Sequence, residues 1–199
     1  MKKIVFLTGT RADYGKVKAL MQAVEADEQF ELHVFVTGMH MLARYGSTYK
    51  EVMKDGFRHI YQFVNTRERE QMDVTLSNTI VGFSNYIAEF QPDLIVVHGD
   101  RVEALAGAIV GALNNVRVAH IEGGEISGTI DESIRHAITK FAHVHLVANE
   151  QAAQHVIQLG EKETSVFEIG SPDIDIMMSD HLPTLEATRK RYSIPFESF

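Results

Sequence analysis

Short apolar runs alternate along this chain with stretches whose apolar residues recur every three or four positions. Ile4–Thr8, Leu32–Thr37, Leu94–His98, Val116–His120 and Val144–Ala148 are nearly continuous apolar segments, the pattern of strands covered on both faces. Arg58–Phe63 and Ser165–Ile169 are shorter segments of the same kind. Between them, Asp13–Glu25 places Val17, Leu20, Met21 and Val24 at helical spacing, and helices are expected over His40–Asp55, Asp73–Phe90, Val102–Leu113, Glu132–Ala142 and Glu150–Leu159. Pro92 follows Phe90 as a stop signal. Loops fall at Asn65–Gln71 and Glu122–Asp131. Strands alternating with helices predict an α/β fold, a doubly wound parallel sheet joined by right-handed crossovers. A short helix is expected over Leu185–Tyr192, after which Ser193–Phe199 offers no closing element.

Composition narrows the class. With 199 residues, 45% hydrophobic and 23% charged, one domain would bury roughly 70% of the surface its unfolded chain exposes. The formal charge of −8 argues against non-specific nucleic-acid binding, which needs clustered Lys and Arg, but not against a local anion site. The absence of cysteine removes disulfides, thiolate metal sites and cysteine nucleophiles. Lys2-Lys3 before Ile4–Leu7 is too short for a signal peptide and breaks at Thr8-Gly9-Thr10. No stretch approaches the roughly 20 apolar residues of a membrane span, so a cytoplasmic protein is expected.

The chemistry gathers at strand ends, where open parallel sheets bind ligands. Asp100-Arg101 follows one apolar run, and Glu122, with Asp131 after a glycine-rich loop, follows the next. Crowded carboxyl groups push their pKa values apart, so that one donates a proton while another accepts. The plainer reading makes Asp100 and Asp131 helix N-caps and His98 a satisfied core residue. His98-x-Asp100 and His120-x-Glu122 would also set two metal ligands on one strand face, although no H-E-x-x-H motif accompanies them. His143 and His145 share that spacing but open a strand away from the crevice end, and read as structural. The first strand leads into Gly9-Thr10-Arg11-Ala12-Asp13-Tyr14-Gly15-Lys16. A helix start after glycine suits an anion, yet the spacing fits neither a Walker loop nor G-x-G-x-x-G. The plain alternative is a tight turn capped by Asp13. Thr37-Gly38-Met39-His40 is a weaker candidate of the same type.

Five separated strings, TGTRADYGK, VTGMH, HGDR, HIEGGEISGTIDESIRHAITK and IGSPDID, resemble the bacterial hydrolysing UDP-N-acetylglucosamine 2-epimerases of sialic acid biosynthesis. Gly9-Thr10-Arg11-Ala12-Asp13 stands where non-hydrolysing relatives carry a Gly-Thr-Arg-Pro-Glu loop. The resemblance implies the amino-terminal Rossmann-like half of a glycosyltransferase-B-type enzyme, with this domain over residues 1–180 and the start of an inter-domain segment at 181–199. It implies loss of the sugar C2 proton, anti elimination of UDP to a 2-acetamidoglucal, and hydration to N-acetylmannosamine. Asp100, Glu122 and Asp131 match the acid/base positions, while Arg11, Gly15 and Arg101 match contacts to UDP. No metal or nicotinamide is implied. Family members associate as dimers or tetramers and carry a second domain with most uridine contacts and a further catalytic histidine, so this half alone is expected to be inactive. Two other functions compete: 2-epimerisation of a UDP-2,4-diacetamido-trideoxyhexose, and a non-catalytic ligand-binding or assembly module.

Overall fold

Seven segments pair into one sheet, the central ones too apolar to leave either face in water and the two edge ones largely exposed. They are β1 (Lys2–Thr8), β2 (Phe30–Val36), β3 (His59–Gln62), β4 (Leu94–His98), β5 (Arg117–Ile121), β6 (Val144–Val147) and β7 (Val166–Glu168). In this computed structural model, which describes the chain apart from residues 69, 179–181 and 196–199, they run in the order β3-β2-β1-β4-β5-β6-β7. Every pairing is parallel. The helices are α1 (Arg11–Ala26), α2 (Tyr49–Lys54), α3 (Met72–Phe90), α4 (Val102–Leu113), α5 (Ile130–Phe141), α6 (Glu150–Gln158), α7 (Pro172–Met177) and α8 (Leu185–Tyr192).

The period of two along β1 divides the interior. Val5 and Leu7 join a core with Phe35, Phe83, Ile95, Val97 and Val118, beneath α3, α4 and α5. Ile4 and Phe6 join the opposite core with Tyr14, Val17 and Met21 of α1 and with Leu32, Val34 and Val96. Burying one such side chain contributes about 1.5–3 kcal/mol, so β1 is held by two cores rather than by its own short-range preferences. Strand order reverses between β1 and β4, which makes their carboxyl ends a topological switch point.

The doubly wound parallel fold is the one expected, with corrections at several termini. Thr10, not Asp13, caps α1. Its hydroxyl accepts from Asp13 N at 3.2 Å and Asp13 Oδ2 accepts from Thr10 N at 3.0 Å, a reciprocal box that satisfies two free donors. Asp100 caps nothing. Arg101 occupies the cap position of α4 without a side-chain bond. At α5 the cap is Thr129, whose oxygen accepts from Asp131 N. The expected helix over His40–Asp55 breaks into 3₁₀ turns at Gly38–Met41 and Ala43–Tyr45, then α2. Gly46 sits at φ 86° and Ser47 at φ 49°, backbone a helix does not accommodate, and α2 buries only Val52. The domain boundary expected at residues 180/181 and the end of the Ser193–Phe199 segment lie outside the described residues.

Candidate functional site

Asp13 builds the turn that follows β1. Its carboxylate accepts the N–H groups of Gly9 and Thr10, each at 3.0 Å, and the Thr8 hydroxyl. With that hydroxyl proton spent on Asp13, His40 Nε2–H donates to Thr8 Oγ1 at 3.0 Å and His40 Nδ1 accepts from Thr48 Oγ1 at 2.8 Å. Burial pushes the His40 pKa down, which fits this neutral tautomer. The loops after β1 and β2 touch closely. Gly38 adopts φ 62°, and a Cβ there would lie 2.6 Å from both Gly9 O and Glu103 Oε1. Only glycine fits that approach.

On β5, fully buried His120 fixes the neighbouring turn. Nε2–H donates to Gly99 O at 2.8 Å, leaving Nδ1 to accept from Thr139 Oγ1 at 3.1 Å. Burial lowers its pKa to about 3. His120 is therefore the satisfied core histidine, whereas His98 is not. His98 Nε2 lies 3.1 Å from Glu122 Oε2 but off the line of a hydrogen bond, and it has no other hydrogen-bond partner among the described residues. Of the two histidines read as structural, His143 accepts from Val118 N at its Nδ1 (3.2 Å), whereas buried His145 lies 3.3 Å from Glu161 with neither ring nitrogen hydrogen-bonded among the described residues.

Glu122 leaves β5 with φ 60°, an uncommon conformation for a side-chain-bearing residue. Its N–H still bonds Leu146 O at 2.9 Å, so the strained residue is anchored to β6. Its carboxylate takes Lys16 Nζ at 3.0 and 2.9 Å. Burial works against ionisation, but His98 and Lys16 outweigh it and hold the Glu122 pKa at about 2. Lys16 and His98, rather than companion acids, set this group. Lys16 also reaches Asp173 on α7 at 3.4 Å, and these acids raise its pKa against the opposing effect of burial.

Asp100 pairs with Arg135 Nη2, while Arg135 Nη1 donates to Glu125 O at 3.0 Å. Asp131 lies one turn earlier on α5, exposed beside Thr129. All three acids thus stand at the carboxyl edge of the sheet, each with its own partners: Asp100 with Arg135, Glu122 with Lys16 and His98, Asp131 with Thr129. Arg11 is exposed, 3.2 Å from Glu51, and with Gly15, Tyr14 and Lys18 lines a cavity of about 620 Å³. Arg101 opens instead onto a hollow of about 150 Å³ shared with Arg44, Arg67 and Glu103.

Sequence reasoning passed over Arg135 and Glu103, and used Lys16 only to test a phosphate loop. Glu103 carried a signal, being the single charged residue of α4. Arg135 carried a weaker one, four residues after Asp131.

These groups make stability acid-sensitive. The His120 pKa falls from 6.5 in the unfolded chain to about 3, so below pH 6.5 the unfolded chain takes a proton that the folded one refuses. Stability drains as pH falls from 6.5 towards 3. The Glu122 pKa falls from 4.5 to about 2, and its contribution, present above pH 4.5, is lost towards pH 2. Urea midpoints at pH 7, 5 and 4 are expected to fall steadily, and less steeply in His120→Gln. Parallel slopes for the two proteins would contradict this role for His120.

The sheet order and the polar groups at its switch point define a Rossmann-like α/β domain, the half expected of a glycosyltransferase-B-type enzyme. The family model described as UDP-N-acetylglucosamine 2-epimerase matches residues 22–197, and the chain belongs to that family. A UDP-N-acetylglucosamine 2-epimerase of Neisseria meningitidis serogroup B is 52% identical over all of this chain and 53% of its own length. The UDP-N,N'-diacetylbacillosamine 2-epimerase (hydrolyzing) of Legionella pneumophila is 37% identical over 96% of this chain and 52% of its length. The S. aureus MnaA–UDP structure superposes with a TM-score of 0.77 at 27% identity, covering 97% of this chain and 52% of that one. The chain spans about half the length of the relatives it matches. Among the described residues, no helix is long and apolar enough to cross a membrane.

Proposed function

We propose that this chain forms one wall of the active cleft of a hydrolysing UDP-N-acetylglucosamine 2-epimerase, cytoplasmic and homo-oligomeric, needing no metal or nicotinamide. The observation that carries the reading is Glu122, ionised in a left-handed backbone between Lys16 and His98, on the same sheet edge as the Asp100–Arg135 pair. A carboxylate in that state cannot supply a proton, so donation falls to another group of the Asp100, Glu122 and Asp131 set. The base removes the C2 proton, the C1–O bond breaks, and UDP leaves with the electron pair. Arg11 and Arg101 stabilise the growing diphosphate charge. Water then adds oxygen to C1 and a proton to C2, giving N-acetylmannosamine.

The 52%-identical relative supports the N-acetylglucosamine substrate. The 37%-identical one favours a second reading, a UDP-2,4-diacetamido-trideoxyhexose with the same proton chemistry. The test uses the protein carrying this chain together with its second domain, incubated in D₂O with each UDP-sugar. N-acetylmannosamine with deuterium at C2, released together with UDP, is the expected product. Faster turnover of the diacetamido sugar would transfer the assignment to the second reading, and product without deuterium would overturn the elimination route.

A further inference from the structure

α4 is a run of valine, alanine, leucine, isoleucine and glycine with one charged residue, Glu103, at its second position. The Glu103 side chain is 3% exposed, where an unpaired charge is costly. Packing alone does not call for it, since an apolar residue of similar length would fill the same space. Its carboxyl group lies under the meeting point of two loops. A Cβ added to Gly9 would come within 3.1 Å of Glu103 Cδ, and one added to Gly38 within 2.6 Å of Glu103 Oε1. Burial pushes the carboxyl pKa up, while the Arg101 guanidinium pulls against that rise.

The other carboxyl oxygen, Oε2, faces Arg101 Nε at 3.7 Å. Both atoms are buried and have no hydrogen-bond partner among the described residues. Arg101 nevertheless leaves 40% of its side chain exposed, so the solvent-facing part of the residue is not its Nε. It opens on the hollow that Arg44 and Arg67 also line. An arginine approached by a carboxylate at Nε keeps its two terminal N–H groups for a second anion, and that planar fork suits phosphate oxygens.

We infer that Glu103 is a positioning residue, holding Arg101 from beneath at Nε so that its terminal guanidinium nitrogens face the diphosphate of a UDP-sugar. The inference rests on the reading of Arg101 as a diphosphate contact. Glu103 touches neither substrate nor reacting atoms, and its effect passes through Arg101 alone.

A double-mutant cycle in the protein with its complete cleft separates this role from simple packing. UDP binding by calorimetry is the readout, with kcat and KM measured alongside. Glu103→Gln is expected to weaken UDP about tenfold and Arg101→Gln by at least as much. The double variant should bind like Arg101→Gln alone, because a residue acting through Arg101 has nothing left to position. Arg101→Lys keeps the charge but lacks Nε–H, and is expected to lose nearly as much as Arg101→Gln. It leaves Glu103 itself in place, so it tests the idea even where Glu103→Gln folds poorly. Losses that multiply in the double variant, or Arg101→Lys binding UDP like the parent, would overturn the positioning role. A parent protein that binds no UDP would overturn the functional reading and this inference together, whereas normal UDP binding with multiplying losses removes only the inference.

Discussion

Glu122→Gln, in the protein that carries a complete cleft, is expected to slow UDP release from UDP-N-acetylglucosamine about 10²–10⁴-fold, the usual worth of a positioned acid or base. Glutamine keeps the shape of the side chain and its hydrogen bond from Lys16, but it cannot accept a proton from carbon. The φ of 60° is a backbone property held by the Leu146 bond, so the substitution leaves the turn in place. Lys16 retains Asp173 as a counter-charge, which limits the structural cost. The loss should therefore fall on kcat, with UDP affinity nearly unchanged. If Glu122 serves only as a structural partner of Lys16 and His98, the outcome reverses: the melting temperature drops and kcat stays near the parent value. Asp100→Asn provides the companion measurement. It weakens the ion pair with Arg135 and is expected to cut turnover by a similar factor. The two losses should combine to less than their product, since the groups act in one proton-transfer sequence. Activity surviving Asp100→Asn unchanged would return that residue to a purely structural role and favour a non-catalytic module.

Residues 1–199 on their own are expected to release no measurable UDP from UDP-N-acetylglucosamine. The acids and guanidiniums lie along one sheet edge, with Arg11 exposed and Asp131 in solvent. Charge stabilisation in a transition state depends on excluding water and on fixed dipoles from every side. One wall of a cleft supplies neither. Matched relatives extend about twice as far, which supports a second wall in the whole enzyme. A coupled UDP assay on the purified chain checks this, with circular dichroism to establish that it is folded. Turnover comparable to that of the whole enzyme would show that the other wall is dispensable.

Much of the fold was legible because its signals are local. The apolar runs at Ile4–Leu7, Leu94–His98 and Val144–Val147 state their burial on both faces without reference to other parts of the chain. Helix starts were less legible. Asp13, Asp100 and Asp131 all looked like caps, yet the caps fell at Thr10, Arg101 and Thr129, because a short acid can serve its own turn or a distant partner equally well. The region from His40 to Asp55 misled for a related reason. It reads as one helical stretch, but the Gly46-Ser47 turn and the thin burial of α2 decide the outcome.

The candidate site divides in the same way. That Asp100, Glu122 and Asp131 follow strand ends is written in the order of residues, and so is the set of motifs shared with the epimerase family. Which charge meets which is not. Lys16 and Glu122 are 106 residues apart and Arg135 and Asp100 are 35 apart. No periodicity links such pairs, and each exists only because the sheet places β1 beside β4 and β5 next to that. The burial of Glu103 beneath Gly9 and Gly38 likewise needs two loops to converge over the start of α4. The sequence by itself determined the succession of strands and helices, because hydrophobic burial is read residue by residue along the chain. Only the tertiary structure decided the ionisation of Glu122 and the partners of the other acids, because electrostatic energies depend on distance and burial in space.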